Sequence, residues 1–182
     1  MAEAEAFGNM GTRDVMRFAY ADPPYPGQAK IHYAKDPSGI CAEVNHELLI
    51  SYLCTFDAWA LSTSEKSLRS VLPLCPEKIR IGSWVKPFAN YRPNVNPGYG
   101  WEPVIFSGGR KYKRFAPTVP NWVSACATLK TGTHGAKPLT FAYWIFRMLN
   151  AVEGDEFEDV FPGSGAVSAA WDIWCRQGRL YA

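Results

Sequence analysis

The 182-residue sequence predicts an α/β fold: three layers built on a mostly parallel sheet. Three observations predict it. Between residues 15 and 85, short apolar runs alternate with segments of helical period, the order produced when helices cross between parallel strands. One apolar run, Phe18 to Ala21, ends abruptly at Pro23 and Pro24. Another, around Phe157 to Phe161, runs into Gly163 and Gly165 and then a helical segment, the strand–glycine turn–helix order of Rossmann-like sheets.

Residues 1–14 are small and polar and read as a frayed end. Val15 to Ala21 reads as a strand, because continuous hydrophobicity marks a strand covered on both faces. The two prolines fix φ and remove backbone donors, so Asp22 and Tyr25 are held on a rigid turn at the strand's carboxyl end, where open α/β sheets bind ligands. That turn offers a carboxylate, bare carbonyls and an aromatic face. Such groups grip a planar heterocycle with an exocyclic amine: the acceptors take its N–H donors and Tyr25 stacks on its ring. From Gln28 to Val44 no period is visible, which predicts a long loop able to close over a ligand, with Lys30 and Lys35 placed for phosphates and His32 and Tyr33 beside them.

Asn45 caps a predicted helix running to Thr55, with Leu48, Leu49, Tyr52 and Leu53 facing the sheet. Ala58 to Leu61 is the next buried strand. Ser64 opens a helix to Leu72, ended by Pro73 and Pro76, and Ile79 to Val85 alternates as a strand. Residues 88–136 are loop-rich apart from an apolar strand within Glu102 to Phe106, and form a candidate face for reading a target. Inside that region, Arg110-Lys111-Tyr112-Lys113-Arg114 is a dense basic run around one aromatic, suited to phosphates and a stacked base. Lys137-Pro138 opens a helix from Leu139 to Val152. The acidic stretch Glu153 to Asp159 leads into the glycine turn, and Ala166 to Gln177 is the last helix.

A chain of this length with 47% hydrophobic residues predicts one domain with a full core. The formal net charge of +2 excludes a global polycation, so any nucleic-acid footprint is local. Five cysteines without Cys-x-x-Cys spacing predict reduced thiols, a cytoplasmic protein and no structural zinc. No run of 18 apolar residues predicts a membrane span, and nothing predicts a membrane partner.

The pairing of Asp22-Pro23-Pro24-Tyr25 with Phe161-Pro162-Gly163-Ser164-Gly165 resembles the S-adenosylmethionine (SAM)-dependent amino-methyltransferases of nucleic acid. These methylate adenine N6 or cytosine N4, and carry an Asp/Asn/Ser-Pro-Pro-aromatic motif and a Phe-x-Gly-x-Gly motif. The catalytic motif comes first here, an order similar to the circularly permuted beta class and to the adenosine methyltransferases of messenger RNA. Trp84-Val85-Lys86 followed by Glu102 is a softer part of the same likeness. The resemblance implies a Rossmann-like methyltransferase fold with an antiparallel edge strand, formed by Glu102 to Phe106. It implies SAM as cofactor, bound by Asp22, Lys137, Asp159, Phe161, Gly163, Ser164 and Gly165, with Asp159 pairing with the ammonium group. It implies catalysis by Asp22, Pro23, Pro24 and Tyr25, without a metal. DNA adenine is the expected target, on the strength of Asp rather than Ser at the first motif position. RNA adenosine, DNA cytosine N4 and an inactive nucleic-acid-binding subunit are the alternatives, and a second copy of the chain is a candidate partner. The family's acidic ribose contact would end the strand that starts at Arg179, and the sequence stops before it.

Overall fold

A computed structural model describes residues 15–25, 44–90, 94–126 and 137–178. The expected loop carrying Lys30, His32, Tyr33 and Lys35 lies outside them, as do the Gly132–Gly135 stretch and the strand start at Arg179. Six strands form one sheet. They are β1 (Arg17–Ala21), β2 (Ala58–Ser62), β3 (Ile79–Asn90), β4 (Tyr99–Gly108), β5 (Trp122–Ser124) and β6 (Glu156–Asp159), in the order β5-β3-β4-β2-β1-β6. Strand β1 runs parallel to β2 and β6, β3 runs parallel to β5, and β4 is antiparallel to both of its neighbours.

The continuous hydrophobicity of β1 has the expected cause. Phe18 and Tyr20 face one layer while Ala19 and Ala21 face the other, all essentially without solvent exposure. The first layer holds α3 (Leu139–Leu149) and α4 (Ala166–Gly178), packed through Phe141, Trp144, Ile145, Phe146, Val167 and Ala170. The second holds α1 (His46–Leu53) and the short α2 (Leu68–Val71), packed through Leu49, Ile50, Leu53 and Val71. Sheet and helices thus make the predicted three layers.

The antiparallel strand is present, but it is interior and not at the edge. Val104 and Phe106 pack toward α3 while Ile105 packs toward α1, and the interior place comes from pairing β2 along one edge of β4 and β3 along the other. The phase of α1 also differs from expectation. Its buried stripe is His46, Leu49, Ile50 and Leu53, whereas Leu48 is 68% and Tyr52 42% exposed. Asn45 does cap it, accepting from the Leu48 amide at 3.1 Å. Replacing that side chain leaves a helix-end donor unpaired, so Asn45→Ala is expected to cost about 1 kcal/mol. The check is a thermal melt, with Tm lowered by about 2–4 °C.

Three segments bounded by proline or polar residues also shift. The Ser64–Leu72 helix is a composite, with α2 between single 3-10 turns at Glu65–Ser67 and Leu72–Leu74, and Pro73 lies in the second turn. Strand β3 continues past Lys86 to Asn90 through a register shift. Helix α3 stops at Leu149, where Asn150 adopts a left-handed conformation. Among the described residues no helix is long and apolar enough to cross a membrane.

Candidate active site

Strands β1, β2 and β6 all point their carboxyl ends to one pole of the sheet, and α3 begins there. Side chains two apart on a strand share a face. Asp22 therefore continues the Phe18, Tyr20 face and emerges beneath the start of α3. Trp84 lies opposite Glu102 in the β3–β4 register, on the same face. Lys137, one residue before the Pro138 cap of α3, reaches into this corner with its side chain only 8% exposed.

The result is a charge chain across four elements. The Lys137 ammonium lies 3.1 Å from Asp22 Oδ2 and 3.4 Å from Glu102 Oε2, and Lys86 donates to Glu102 Oε1. Lys137 and Lys86 also lie over the Trp84 ring, at 4.9 and 4.7 Å from its centroid. Burial is the largest single influence on Lys137 and would lower its pKa, yet the Asp22 and Glu102 carboxylates together outweigh it and hold it above its ordinary value. Burial likewise would raise Glu102. The charges of Lys137 and Lys86 overcome that, and its carboxyl is held below the usual range. A buried ammonium is tolerated here because two carboxylates share it.

Asp159, the last residue of β6, is level with Tyr20 of β1 and brings the glycine turn alongside the Asp-Pro-Pro turn. Its Oδ2 accepts from Ser168 Oγ at 3.0 Å, while Oδ1 is buried without a hydrogen-bond partner among the described residues. Burial, and then the like charge of Asp22, push its pKa up against the hydrogen bonds from Ser168 and Phe161. The two carboxylates are thus close enough to repel. Tyr20 reports the same convergence. Burial, then Asp22, and to a lesser degree Tyr25 and Asp159 drive its phenol well above the ordinary range, against a 2.8 Å hydrogen bond with Ser62.

Beyond Asp159 the chain turns through Gly163 and Gly165, both with positive φ, and Gly165 N–H donates to the Pro162 carbonyl. At Gly165, φ is +72°, the left-handed region that favours glycine, and a Cβ there would meet nothing within 4 Å. The glycine serves the turn and leaves open space beside the start of α4. Ser164 is exposed, and Phe161 is partly buried on the opposite face, against the α1 layer.

Asp22, Pro23, Pro24, Tyr25, Lys137, Asp159 and the glycine turn therefore share one pole. The basic run does not. Because β4 is antiparallel, its carboxyl end lies at the other pole, where Gly108 pairs with Ala58 at the start of β2. At about 3.3 Å per residue, Gly108 is about 20 Å along β4 from Glu102. Arg110 is further committed to Asp155, whose side chain is 1% exposed, and Tyr112 donates to the Arg147 carbonyl. Lys111, Lys113 and Arg114 are exposed there.

Glu102 and Lys86 join the site although neither was among the residues singled out for it. Their signal was present as the Trp84-x-Lys86 and Glu102 likeness, but pairing residues 16 apart requires the β3–β4 register. The described acids and bases of the corner comprise Asp22, Glu102 and Asp159 against Lys86 and Lys137. One carboxylate is in excess, beside an unpartnered oxygen, which suits a cationic ligand.

No protein-family model matches the chain, and no curated protein matches it. Among solved structures it is similar to that of M1.HpyAVI, with a TM-score of 0.58 and 14% identity over 88% of this chain and 78% of the other. It is also similar to that of the M1.HpyAVI–SAM complex, with a TM-score of 0.55 and 17% identity over 88% and 79%. These likenesses show the fold alone, the three-layer Rossmann-like α/β arrangement of the described elements.

Proposed function

We propose that the protein transfers a methyl group from SAM to the exocyclic amine of a base in nucleic acid, with adenine N6 in DNA as the preferred target. The single observation that carries this reading is the meeting of two turns. The Asp-Pro-Pro-Tyr turn of β1 and the glycine turn of β6 emerge side by side at the carboxyl pole, with Asp22 and Asp159 within electrostatic reach. The similar M1.HpyAVI has been crystallised as a complex with SAM, which supports the choice of cofactor. The catalytic motif on the first strand and the cofactor motif on the last, paired neighbours, support the permuted order.

The residues present fit that cofactor. Asp159 offers its unpartnered Oδ1 to the ammonium group, Gly163 and Gly165 keep side chains out of the approach to α4, and Ser164 lies exposed between them. Phe161 packs the turn onto the core. When bound, the cofactor supplies an electrophilic methyl on a positively charged sulfur. Asp22 and the Pro23 carbonyl accept the two hydrogens of the target amine and aim its lone pair, and Tyr25 stacks on the base. Lys137 holds Asp22 by Oδ2, fixing the carboxylate so that its other oxygen faces the amine. A paired base leaves its stack to reach this turn, at a cost of a few kcal/mol. The work of the protein is positioning more than proton transfer.

The test is transfer of a labelled methyl group from SAM to single- and double-stranded DNA and RNA, followed by nucleoside analysis. N6-methyladenine in DNA is expected. Label in RNA or on cytosine N4 selects one of the alternatives. Absence of both label and millimolar SAM binding overturns the enzyme reading.

Asp159 gives a pH test of its own. Its raised pKa means that it takes up a proton at a higher pH than an ordinary carboxyl, and the protonated form has no charge for an ammonium. SAM affinity is therefore expected to fall as pH drops toward the raised pKa, starting above the ordinary value of 3.8. Asp159→Asn is expected to bind about 10-fold more weakly at neutral pH, by the loss of one charge-assisted contact of roughly 1.5 kcal/mol. Calorimetry across pH checks both, and the variant's profile should be flatter.

A further inference from the structure

The basic run lies at the pole opposite the candidate active site, and its geometry is that of a separate surface. Contacts among the described residues tie it to the folded body. Arg110 N–H donates to the Leu149 carbonyl, its guanidinium pairs with Asp155, and Tyr112 Oη donates to the Arg147 carbonyl. Asn150 Nδ2 donates to the Arg110 and Lys111 carbonyls at 3.2 and 3.1 Å. A turn closes beyond them, with Ala116 N–H donating to the Lys113 carbonyl.

Within that turn Phe115 has φ of +68°. A bulky residue in the left-handed region is an outlier, and such strain persists where the surrounding structure imposes it, commonly at binding sites. Here no packing explains it, since Phe115 is 89% exposed. The Arg114 guanidinium lies 4.8 Å from its ring centroid. Among the described residues, Lys111 and Lys113 have no ion pair and are exposed. Asp155 is already occupied by Arg110 and by the Met16 and Val152 amides, so its charge does not cancel theirs.

We infer that Lys111, Lys113, Arg114 and Phe115 form a second nucleic-acid contact, one that takes an unpaired strand remote from the Asp22 turn. Lys111 and Lys113, with no ion pair among the described residues, and the Arg114 guanidinium over one face of an outward aromatic ring match a sugar–phosphate backbone with an unstacked base on the ring's other face, because any base has a face to stack. A duplex keeps its bases stacked inside and leaves the ring nothing to cover. The surface is independent of the methyl-transfer reading: Arg110 and Tyr112 anchor it, and among the described residues none of its groups touches the active-site corner.

Fluorescence anisotropy of a labelled oligothymidylate tests it, with salt varied, using the full chain without cofactor. The wild type is expected to bind with a dissociation constant of about 100 μM or tighter at low salt. The triple variant K111A/K113A/R114A should lose about 2 from the slope of log affinity against log salt, at about 0.7 per neutralised phosphate on a single strand. Phe115→Ala should bind about 10-fold more weakly at an unchanged slope. Phe115→Gly should show the same loss without a lower Tm, because glycine accepts the positive φ. The inference is overturned if the wild type does not bind, or if both alanine variants bind within about 2-fold of it at the same slope. It is also overturned if a duplex of equal length competes equally well, or if Phe115→Gly melts several degrees lower and so reveals a packing role. Neither turnover nor SAM enters this readout, so a failed methyl-transfer assay leaves it standing.

Discussion

Asp22→Ala is expected to reduce methyl transfer by about 10³-fold or more while leaving the fold intact. The size follows from what the carboxylate does in the proposed reaction. It both orients the amine and draws electron density toward its lone pair, and loss of one preorganised electrostatic contact in a water-poor site costs about 10²–10³ in rate. Loss of orientation adds to this. Asp22→Asn keeps a carbonyl oxygen at the same place but gives up the charge, and should retain more activity than the alanine variant. The fold should survive both changes because Lys137 keeps a second carboxylate, Glu102 at 3.4 Å, and because β1 is held by its buried residues Phe18 to Ala21. Labelled-methyl transfer gives the rate, and circular dichroism with a thermal melt gives the fold. If the folded alanine variant keeps more than about a tenth of wild-type activity, an effect of this kind is excluded and Asp22 is not the orienting acceptor.

The local features of this chain were legible, and the pairings between distant segments were not. Continuous hydrophobicity from Phe18 to Ala21 announced a strand buried on both faces, and the prolines announced its stop, because each is a property of neighbouring residues. Asn45 as a cap and Gly163 and Gly165 as a turn were read for the same reason. The phase of α1 was lost because Leu48 and Tyr52 share a stripe as well as Leu49 and Leu53 do, and a helix of eight residues is too short for period to decide between them. Buried Leu49 and Leu53 satisfy either choice. What decided it was the layer beneath, seen only after folding.

Sheet order is a harder case. Nothing in the apolar core of β4 told that it would pair with β2 on one side and β3 on the other, because each pairing joins segments far apart in the chain. With β4 interior and antiparallel, the segment that follows it was carried away from Asp22, and the basic run went with it. The same register brought Glu102 opposite Trp84 and within reach of Lys86 and Lys137. One non-local fact thus set the basic run at the far pole and gathered a second set, Glu102 and Lys86 with Lys137, beside Asp22.

That second set yields the largest expected stability change. Lys137→Met keeps the length of the side chain and its contact with Trp84 and Phe141, and removes only the charge. Asp22 and Glu102 then face each other's corner without the shared ammonium. Removing one partner of a buried pair costs about 3–5 kcal/mol, and here a value near 2–4 is expected because water reaches the two carboxylates. Their side chains are 27% and 22% exposed. For a chain of this size that corresponds to a fall in Tm of about 5–15 °C. The pH dependence has a definite sign. Glu102, with its folded pKa below the ordinary 4.5, contributes stability that is present above that value and lost as pH falls through the folded pKa. Lys137, raised above 10.5, contributes stability that is present below that value and lost as pH rises through its folded pKa. Lys137→Met should therefore flatten the profile at both limbs as well as lower its plateau. The double variant Lys137→Met/Glu102→Gln should be less destabilised than the sum of its parts, because the second change removes a charge that the first left without its buried partner. Additive losses would mean that Lys86 alone satisfies Glu102, and that Lys137 serves Asp22 only.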